Sequence, residues 1–478
     1  MKIVVLSGSP KGMTSVTIQY VRFLAKNYPE HDFEILHVSR DLRRLEEDAG
    51  AFDAVVRAVE RADGVIWAFP LYYLLVHAHY KRFIELVFER GAGGAFQGKY
   101  ASTLSTSIRF FDHTAHNYLH GICDDLGMRF FGSHSAAMYD LLEEAERRRL
   151  ALFGRHFFEA IAADAPMPRM HDPIEVRPFA YAPAPGVGDL STSGRRVLVV
   201  ADQTDEGTNL GRMVDRFRRS FADPIEVVDL REVRIRGGCV GCIQCGLDNT
   251  CIYRDADEVF ATYERLKAAD VLVLAGTIKD RYLSSRWKLF FDRGFFHNHV
   301  PILVGKQVGL LVSGPLRQIA NLRQVLEGYV ECQQASLAGI VTDECADSGE
   351  LDGQLESLAR RLIACAETGY LRAPSFLSVA GGKLFRDEIW AHMRLVFQAD
   401  HRYYQRHGFY DFPKRSVGTR LREAIYCLLL KIPAFRREFR KRIKQEMVKP
   451  LAKLVDDLDG PQDAAAGPGR PGDGRRAP

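Results

Sequence analysis

The sequence lacks several features that would place it in a specialised class of protein. None of its apolar runs reaches the roughly 18 residues that a membrane-spanning helix needs. It shows neither a collagen period nor a sustained heptad, and no secretory signal opens it. We therefore expect an intracellular, cytoplasmic protein that folds around sizeable cores.

Cysteine is scarce and unevenly placed. Nine cysteines in 478 residues do not make the disulfide framework of a secreted protein. Four of them fall between Cys239 and Cys251, and the other five are scattered as expected of core or surface thiols. In a reducing compartment such a cluster indicates metal binding or catalysis rather than disulfide bonds.

The net charge of +4 hides a basic segment near the end of an acidic body. Residues 414–453 contain 13 lysines and arginines against three glutamates. The segment includes the apolar run Ile425–Leu430, so it is partly amphipathic. A solvated helix face that packs on the body by its apolar side is one interpretation, and contact with an anionic surface at the inner membrane face or with an acidic protein partner is the functional alternative. We expect no nucleic-acid partner.

A repeat runs through the first 370 residues. Three pairs of segments lie 207 residues apart: Ala62–Ala68 with Ala269–Ala275, Tyr80–Glu85 with Trp287–Asp292, and Gly98–Ser105 with Gly305–Val312. Further upstream, Phe33–Leu36 matches Ile225–Val228 at an offset of 192. The second repeat has therefore gained 15 residues in the interval that holds the cysteine cluster.

Each repeat alternates short β-rich runs with helical patterns. The strands predicted in the first repeat are Ile3–Leu6, Phe33–Val38, Val65–Ala68, Ala101–Ser105 and Arg129–Gly132. Those predicted in the second are Val197–Ala201, Ile225–Leu230, Val271–Ala275, Val308–Val312 and Ser336–Val341. Five strands alternating with helices predict a parallel, doubly wound α/β sheet in each repeat.

The domain organisation follows from the repeat and from local composition. We predict a first α/β domain at 1–163, a proline-rich linker at 164–194, a second α/β domain at 195–372, a basic helical extension at 373–458 and a disordered tail at 459–478.

The first predicted strand runs into a small, hydroxyl-rich loop that is followed by a helix. Backbone N–H groups at such a helix start can bind an anion. Ser9, Ser15 and Thr17 can donate hydrogen bonds, and Lys11 can supply positive charge. The loop is neither a Walker loop nor a dinucleotide G-x-G-x-x-G. An ordinary turn with a capping hydroxyl is the alternative.

Two later strand ends carry aromatic and small hydroxyl residues. These are Pro70, Leu71, Tyr72, Tyr73, Ser105, Thr106 and Ser107. The carboxyl ends of parallel strands meet at one edge of a sheet, where ligands bind. Together with the hydroxyl-rich loop, this combination suits a flat ring with a phosphate tail, such as flavin mononucleotide (FMN).

These motifs resemble those of the NADPH-dependent FMN reductase and iron–sulfur flavoprotein family. The resemblance is carried by Gly8-Ser9-Pro10-Lys11, Pro70-Leu71-Tyr72 and Tyr80-Lys81-x-Phe83, and it covers residues 1–163 and 195–370. It implies two tandem flavodoxin-like domains. It also implies that Ser9, Lys11, Ser15 and Thr17 contact the FMN phosphate while the later loops line the ring.

The cysteine cluster is the second chemical signal. Cys239, Cys242, Cys245 and Cys251 place four thiols within 13 residues. A [4Fe–4S] cluster takes one thiolate per iron, whereas structural zinc usually takes two separated C-x2-C pairs. We predict a [4Fe–4S] cluster, with zinc or metal-free thiols as alternatives. The spacing also resembles that of the iron–sulfur flavoproteins.

The second repeat departs from the family pattern at its first loop. Residues 202–209 lack Gly-Ser-Pro-Lys and carry three acidic residues, which oppose a phosphate. Thr208 and Asn209 could still contact one, so a second FMN stays open. The division that we predict places flavin on the first repeat and the cluster on the second.

Three histidines of the first repeat, His113, His116 and His120, fall on one helical face. A metal site, a place in a substrate pocket and ordinary surface or hydrogen-bonded roles all remain open.

Together these features predict an NAD(P)H-dependent flavin oxidoreductase that passes electrons between FMN and a [4Fe–4S] cluster. The electron donor is a nicotinamide or a ferredoxin-like protein, and the acceptor is a small molecule or a redox partner. A non-enzymatic electron carrier or redox sensor is the alternative. The resemblance also leaves a homodimer open, and the sequence identifies no catalytic residue.

Overall fold

The computed structural model describes residues 1–186, 188–412 and 417–456. By their internal contacts the residues form two compact units, 1–404 and 405–478. Both predicted sheets lie in the first unit. The predicted disordered tail lies outside the described residues, as does Lys414 at the start of the basic segment.

The first sheet has five parallel strands in the order β2-β1-β3-β4-β5. They are β1 (Lys2–Ser7), β2 (Asp32–Leu36), β3 (Gly64–Pro70), β4 (Tyr100–Ser107) and β5 (Arg129–Ala137). Its helices are α1 (Val16–Asn27), α2 (Leu42–Glu47), α3 (Ala49–Glu60), α4 (Ala78–Glu89), α5 (Asp112–Asp125) and α6 (Glu144–Ala162). All five predicted strands are confirmed, and β5 continues five residues beyond its predicted end because it pairs with β4 as far as Ser107.

The second sheet repeats this order as β7-β6-β8-β9-β10. Its strands are β6 (Val197–Ala201), β7 (Glu226–Asp229), β8 (Val271–Thr277), β9 (Gln307–Ser313) and β10 (Ser336–Thr342). Its helices are α7 (Asn209–Arg218), α8 (Cys245–Asp248), α9 (Val259–Ala268), α10 (Ser285–Arg293), α11 (Ala320–Cys332) and α12 (Ser348–Thr368). The predicted fold class, two tandem flavodoxin-like α/β sheets, is confirmed.

Continuous apolar runs form the central strands because both faces of each sheet are covered by helices. Every residue of β6 is buried, and β1 is buried from Ile3 to Ser7. Helix α1 covers the first sheet through residues at helical spacing, including the fully buried Ile18 and Val21. The carboxyl ends of β1, β3 and β4 therefore meet at one edge, where the predicted flavin residues lie.

Helices α4 and α10 pack against each other between the two sheets. Residues that correspond in the two repeats make corresponding hydrogen bonds there. The Ala78 N–H donates to Asp292 Oδ2 at 2.7 Å, and the Ser285 N–H donates to Glu85 Oε1 at 2.7 Å. Each pair is the other shifted by 207 residues. The contact is thus a pseudo-twofold interface, within one chain, between two copies of a domain.

Buried ion pairs lie at the centre of this interface. Lys81 Nζ contacts Glu85 Oε1 and Asp280 Oδ2, both at 2.8 Å. Its repeat equivalent, Lys288, pairs with Asp292 and donates to the Tyr72 carbonyl oxygen at 2.9 Å. Both lysines are fully buried. Because an uncompensated buried charge is costly, each lysine depends on its carboxylate.

The segment predicted as a linker lies along both domains. His171 binds Asp124 of α5 through its backbone N–H, at 2.9 Å. Further on, the Tyr181 N–H donates to Asn209 Oδ1 at 2.9 Å. The segment therefore contacts the first domain near its start and the second domain near its end.

The remaining helices are α13 (Phe376–Glu388), α14 (Gln398–Arg406), α15 (Val417–Leu429) and α16 (Pro433–Asp456). Within the described range, α15 has no buried residue. The anionic partner expected for this basic segment stays a prediction. No helix among residues 1–186, 188–412 and 417–456 has the length and apolar character needed to cross a bilayer.

Candidate functional site

The hydroxyl-rich loop lies between β1 and α1 with its predicted side chains close to the sheet edge. Ser9, Ser15 and Thr17 are almost fully buried, and Lys11 is exposed. Thr17 Oγ1 lies 2.6 Å from Thr106 Oγ1, which fastens the start of α1 to the end of β4. The structure therefore brings the predicted phosphate loop beside one of the predicted ring loops.

The N-terminus of α1 has the properties of an anion site. Ser15 is its N-cap, yet its hydroxyl accepts from no backbone N–H of the described chain. A helix N-terminus carries partial positive charge and unpaired N–H groups. A free hydroxyl beside them fits a phosphate monoester, and these residues accordingly fit the phosphate of FMN.

The corresponding loop of the second domain is already occupied by the protein itself. Thr208 caps α7 by accepting from the Gly211 N–H at 3.1 Å, and Asn209 Nδ2 donates to the Phe179 carbonyl oxygen at 2.9 Å. Burial raises the pKa of the nearby Asp202 carboxyl to about 6. These contacts use the two residues that could have held a second phosphate.

The loops that would line the flavin ring follow β3 and β4. The turn after β3 is tight, because Tyr73 and Leu74 both have positive φ values, 35° and 63°. Consecutive non-glycine residues in this region are strained, and such strain clusters at ligand sites. Pro70, Leu71 and Tyr72 are half-buried there. After β4, Ser107 Oγ accepts from the Arg109 N–H at 2.7 Å.

The cysteine loop (residues 237–251) of the second domain lies directly against the predicted flavin loops of the first. A Cβ atom on Gly241 would overlap Tyr72 Oη and would lie 2.6 Å from Lys11 Cε. Gly241 stands between Cys239 and Cys242, and its φ is +63°. The backbone of the loop is therefore in contact with one predicted ring residue and one predicted phosphate residue.

All four cysteines line one small cavity of about 20 Å³, together with Arg293 and Phe295. Burial raises the pKa of Cys239 to about 12 and that of Cys245 to about 12. Buried thiols become thiolates when a positive centre compensates their charge, as a bound metal does. The donor set thus fits a metal centre.

Polar residues that no sequence motif indicated lie beside the cysteines. Arg293 Nη2 lies 3.9 Å from Cys251 Sγ and is paired with the buried Asp257. Asn298 Nδ2 donates to the Cys245 carbonyl oxygen at 2.8 Å. Hydrogen bonds and charge near the sulfurs tune the reduction potential of a cluster.

Two histidines of the first domain also hold the cysteine loop. His77 Nε2 lies 2.8 Å from the Cys239 carbonyl oxygen, and His79 packs against Gly238. Burial lowers the pKa of His77 well below its usual range. The signal that could have found them is their place directly after the predicted ring loop at Tyr72.

The three histidines of α5 do not form one site. His113 is exposed, and His120 lies beside Asp124 and His171. His116 is buried between Thr103 Oγ1 at 2.7 Å and Ser105 Oγ at 2.8 Å. Burial lowers the pKa of His116 to about 4. His116 therefore supports the end of β4 as a neutral side chain.

His116 should make the stability of the protein depend on pH. Its pKa is about 4 in the fold and 6.5 ordinarily, so its stabilising contribution is complete above pH 6.5 and lost as the pH falls towards 4. At 1.36 kcal/mol per pKa unit, about 2 kcal/mol should be lost between about pH 7 and pH 5. His116→Gln should flatten urea-unfolding free energies measured across this range, and the exposed-site variant His156→Gln should not. Equal slopes in both variants would contradict the assignment.

The fold and the site together define a tandem flavodoxin-like α/β protein whose predicted phosphate loop lies in the first domain. Residues 1–140 match the family model described as NADPH-dependent FMN reductase. The match contains every residue predicted to contact FMN, and it ends before the cysteine loop. The cluster therefore stays a prediction from the cysteines and their geometry.

Several solved structures resemble about a third of the chain. FerB, a flavoenzyme NAD(P)H:(acceptor) oxidoreductase from Paracoccus denitrificans, is 20% identical over 34% of this chain and 97% of its own, with a TM-score of 0.30. The NADH:FMN oxidoreductase EMOB is 23% identical over 33% and 89%, with a TM-score of 0.29. General stress protein 14 from Treponema denticola, solved with FMN, is 13% identical over 34% and 98%, with a TM-score of 0.26. No curated protein matches the sequence.

Proposed function

We propose that this protein is an NAD(P)H-dependent flavin oxidoreductase that couples FMN in its first domain to a [4Fe–4S] cluster in its second. The observation that carries the proposal is the contact of the cysteine loop, at Gly241, with Lys11 and Tyr72. Bound FMN would supply two-electron exchange with a nicotinamide and one-electron exchange with an iron–sulfur centre.

The residues of the first domain bind and orient the flavin. Ser9, Ser15 and Thr17 line the N-terminus of α1 as hydrogen-bond donors to phosphate, and Lys11 adds positive charge. The strained turn at Tyr73 presents the ring loop, and Lys288 fixes it by binding the Tyr72 carbonyl oxygen. The family match over residues 1–140 supports this part of the proposal.

The residues of the second domain hold the cluster and exclude water from part of it. Cys245 is buried, Cys239 and Cys251 are half-buried, and Cys242 is exposed. The exposed side at Cys242 gives a redox partner or small acceptor access to the cluster. With Thr208 and Asn209 engaged by the protein, we propose one FMN for each chain.

The contact at Gly241 supplies a direct test. Gly241→Ala adds a Cβ that overlaps Tyr72 Oη and Lys11 Cε, so the cysteine loop and these two side chains must move apart. In anaerobically purified protein, we expect NAD(P)H oxidation with a two-electron quinone to continue. Reduction of a one-electron acceptor through the cluster should fall at least tenfold.

Gly98→Ala is the matched control, because Gly98 also has a positive φ, +74°, but has open space around its Cβ position. Gly98→Ala should leave both NAD(P)H oxidation and the reduction of the one-electron acceptor at the wild-type rate. Equal behaviour of the two variants would exclude electron transfer across this contact. Wild-type protein that binds no FMN, or that oxidises neither NADH nor NADPH with any acceptor, would refute the proposal as a whole.

A further inference from the structure

A second group of potential metal ligands lies away from the flavin and cysteine residues, between helix α5 and the linker. It consists of His120 and Asp124, one helical turn apart, and His171 from the linker. One donor atom from each residue lies within 4.8 Å of the other two. We call it the His–Asp–His group.

Contacts within the first domain and the linker fix the positions of the side chains of this group. Asp124 is buried, and its Oδ2 accepts from the backbone N–H groups of Met170 and His171 at 3.2 and 2.9 Å. The His120 ring stacks on Phe130 with centroids 3.9 Å apart, which fixes its orientation. Backbone and stacking contacts therefore hold two of the three side chains in place.

One ligand atom is left without a partner. His120 Nε2 is buried and makes no hydrogen bond to any residue among 1–186, 188–412 and 417–456. It faces Asp124 Oδ2 at 3.6 Å, and His171 Nδ1 lies 2.8 Å from the same oxygen. A metal ion with metal–ligand bonds of about 2.0–2.2 Å would require only a small shift of these donor atoms.

The chemistry of the three donors selects the kind of ion. Two imidazoles and one carboxylate are the ligands of zinc and similar divalent transition ions, whereas Ca²⁺ and Mg²⁺ prefer oxygen alone. The charge of the nearby Arg281 is already balanced, because it forms two hydrogen bonds of 2.7 Å with Asp125. The His171 side chain is 29% exposed, so water can complete the coordination.

We propose that His120, Asp124 and His171 bind one divalent transition-metal ion, of the zinc type, that fastens the linker to the first domain. The neighbouring residue Asp172 is held from the other side, since its carbonyl oxygen accepts from Arg281 Nη2 at 2.7 Å. The ion therefore sits where the first domain, the linker and the second domain meet. It closes a loop of more than 50 residues between His120 and His171.

Zinc alone is the probe for the test, with the full chain purified with its native centres. Wild-type protein should bind one zinc at this group, and zinc-edge X-ray absorption should show nitrogen and oxygen ligands without sulfur. His171→Ala should weaken that binding by about 100-fold or more. His156→Ala removes an exposed histidine of α6 and should leave the binding unchanged.

His120→Ala keeps the backbone contacts between Asp124 and the linker, and it should lose zinc to the same extent as His171→Ala. It serves as the second variant if His171→Ala fails to fold. A sulfur-only zinc shell in the wild type, or wild-type affinity in both variants, would overturn the proposal. Loss of the flavin or of the iron would not contradict the proposed zinc site, because neither group touches these residues.

Discussion

Replacing Asp292 by alanine is expected to destabilise the protein by about 3–5 kcal/mol, because it leaves Lys288 buried without its partner. The same change removes the acceptor of the Ala78 N–H, so a second buried group loses its hydrogen bond. Urea unfolding followed by tryptophan fluorescence measures the effect, since Trp287 lies on the same helix. Glu264→Ala breaks the exposed pair with Lys267 and should cost less than about 1 kcal/mol.

A second variant separates the cost of the unpaired charge from that of the packing. In the double variant Lys288→Met/Asp292→Leu the buried charges are absent, and much of the lost stability should return. The hydrogen bonds to Ala78 and Tyr72 stay broken, so recovery should be incomplete. If Asp292→Ala costs no more than Glu264→Ala, the pair does not stabilise the interface.

The fold was predictable because its pattern is local and appears twice. Each apolar run, such as Val197–Ala201, is long enough for a strand and too short for a helix. The repeat then placed five such runs in each half in the same order, which is how the structure arranges them. Strand ends were less predictable, since β5 extends to Ala137 through pairing that no local pattern contains.

The contact between the predicted phosphate loop and the cysteine loop was not predictable from the sequence. The sequence separates Lys11 from Gly241 by 230 residues, and nothing local indicates that they touch. Their contact arises because α4 packs on α10 about a pseudo-twofold axis, which places the cysteine loop against the first domain. The buried state of Lys81 and Lys288 follows from the same packing, although the lysines had marked the repeat.

The surroundings of the three histidines of α5 were also not predictable from the sequence. Helical spacing placed His113, His116 and His120 on one face, and that face is divided among three environments. His116 is enclosed by β4, while His120 meets a residue 51 positions away in the linker. A periodic pattern predicts which side of a helix faces inwards, and tertiary partners decide what each side chain does there.

Removing Cys245 is expected to have the largest effect on the proposed redox chemistry. Cys245 is the buried member of the four, and its Sγ lies 3.4 Å from Asn298 Oδ1. With one thiolate missing, an iron–sulfur cluster loses the ligand of one iron. In Cys245→Ala we expect iron to fall from about four to below about one per chain, with loss of the visible absorption of the cluster.

The flavin should survive this change, because the predicted phosphate loop at Ser9–Thr17 belongs to the other domain. FMN content should therefore stay at one per chain, and two-electron NAD(P)H oxidation should persist while one-electron transfer falls about 100-fold. Cys427→Ser, at an exposed cysteine outside the loop, should match wild type in all three measurements. Iron retained in Cys245→Ala would exclude the cluster from this loop. Simultaneous loss of iron and FMN would instead show that the contact at Gly241 also stabilises the flavin site, which makes the two domains one redox unit.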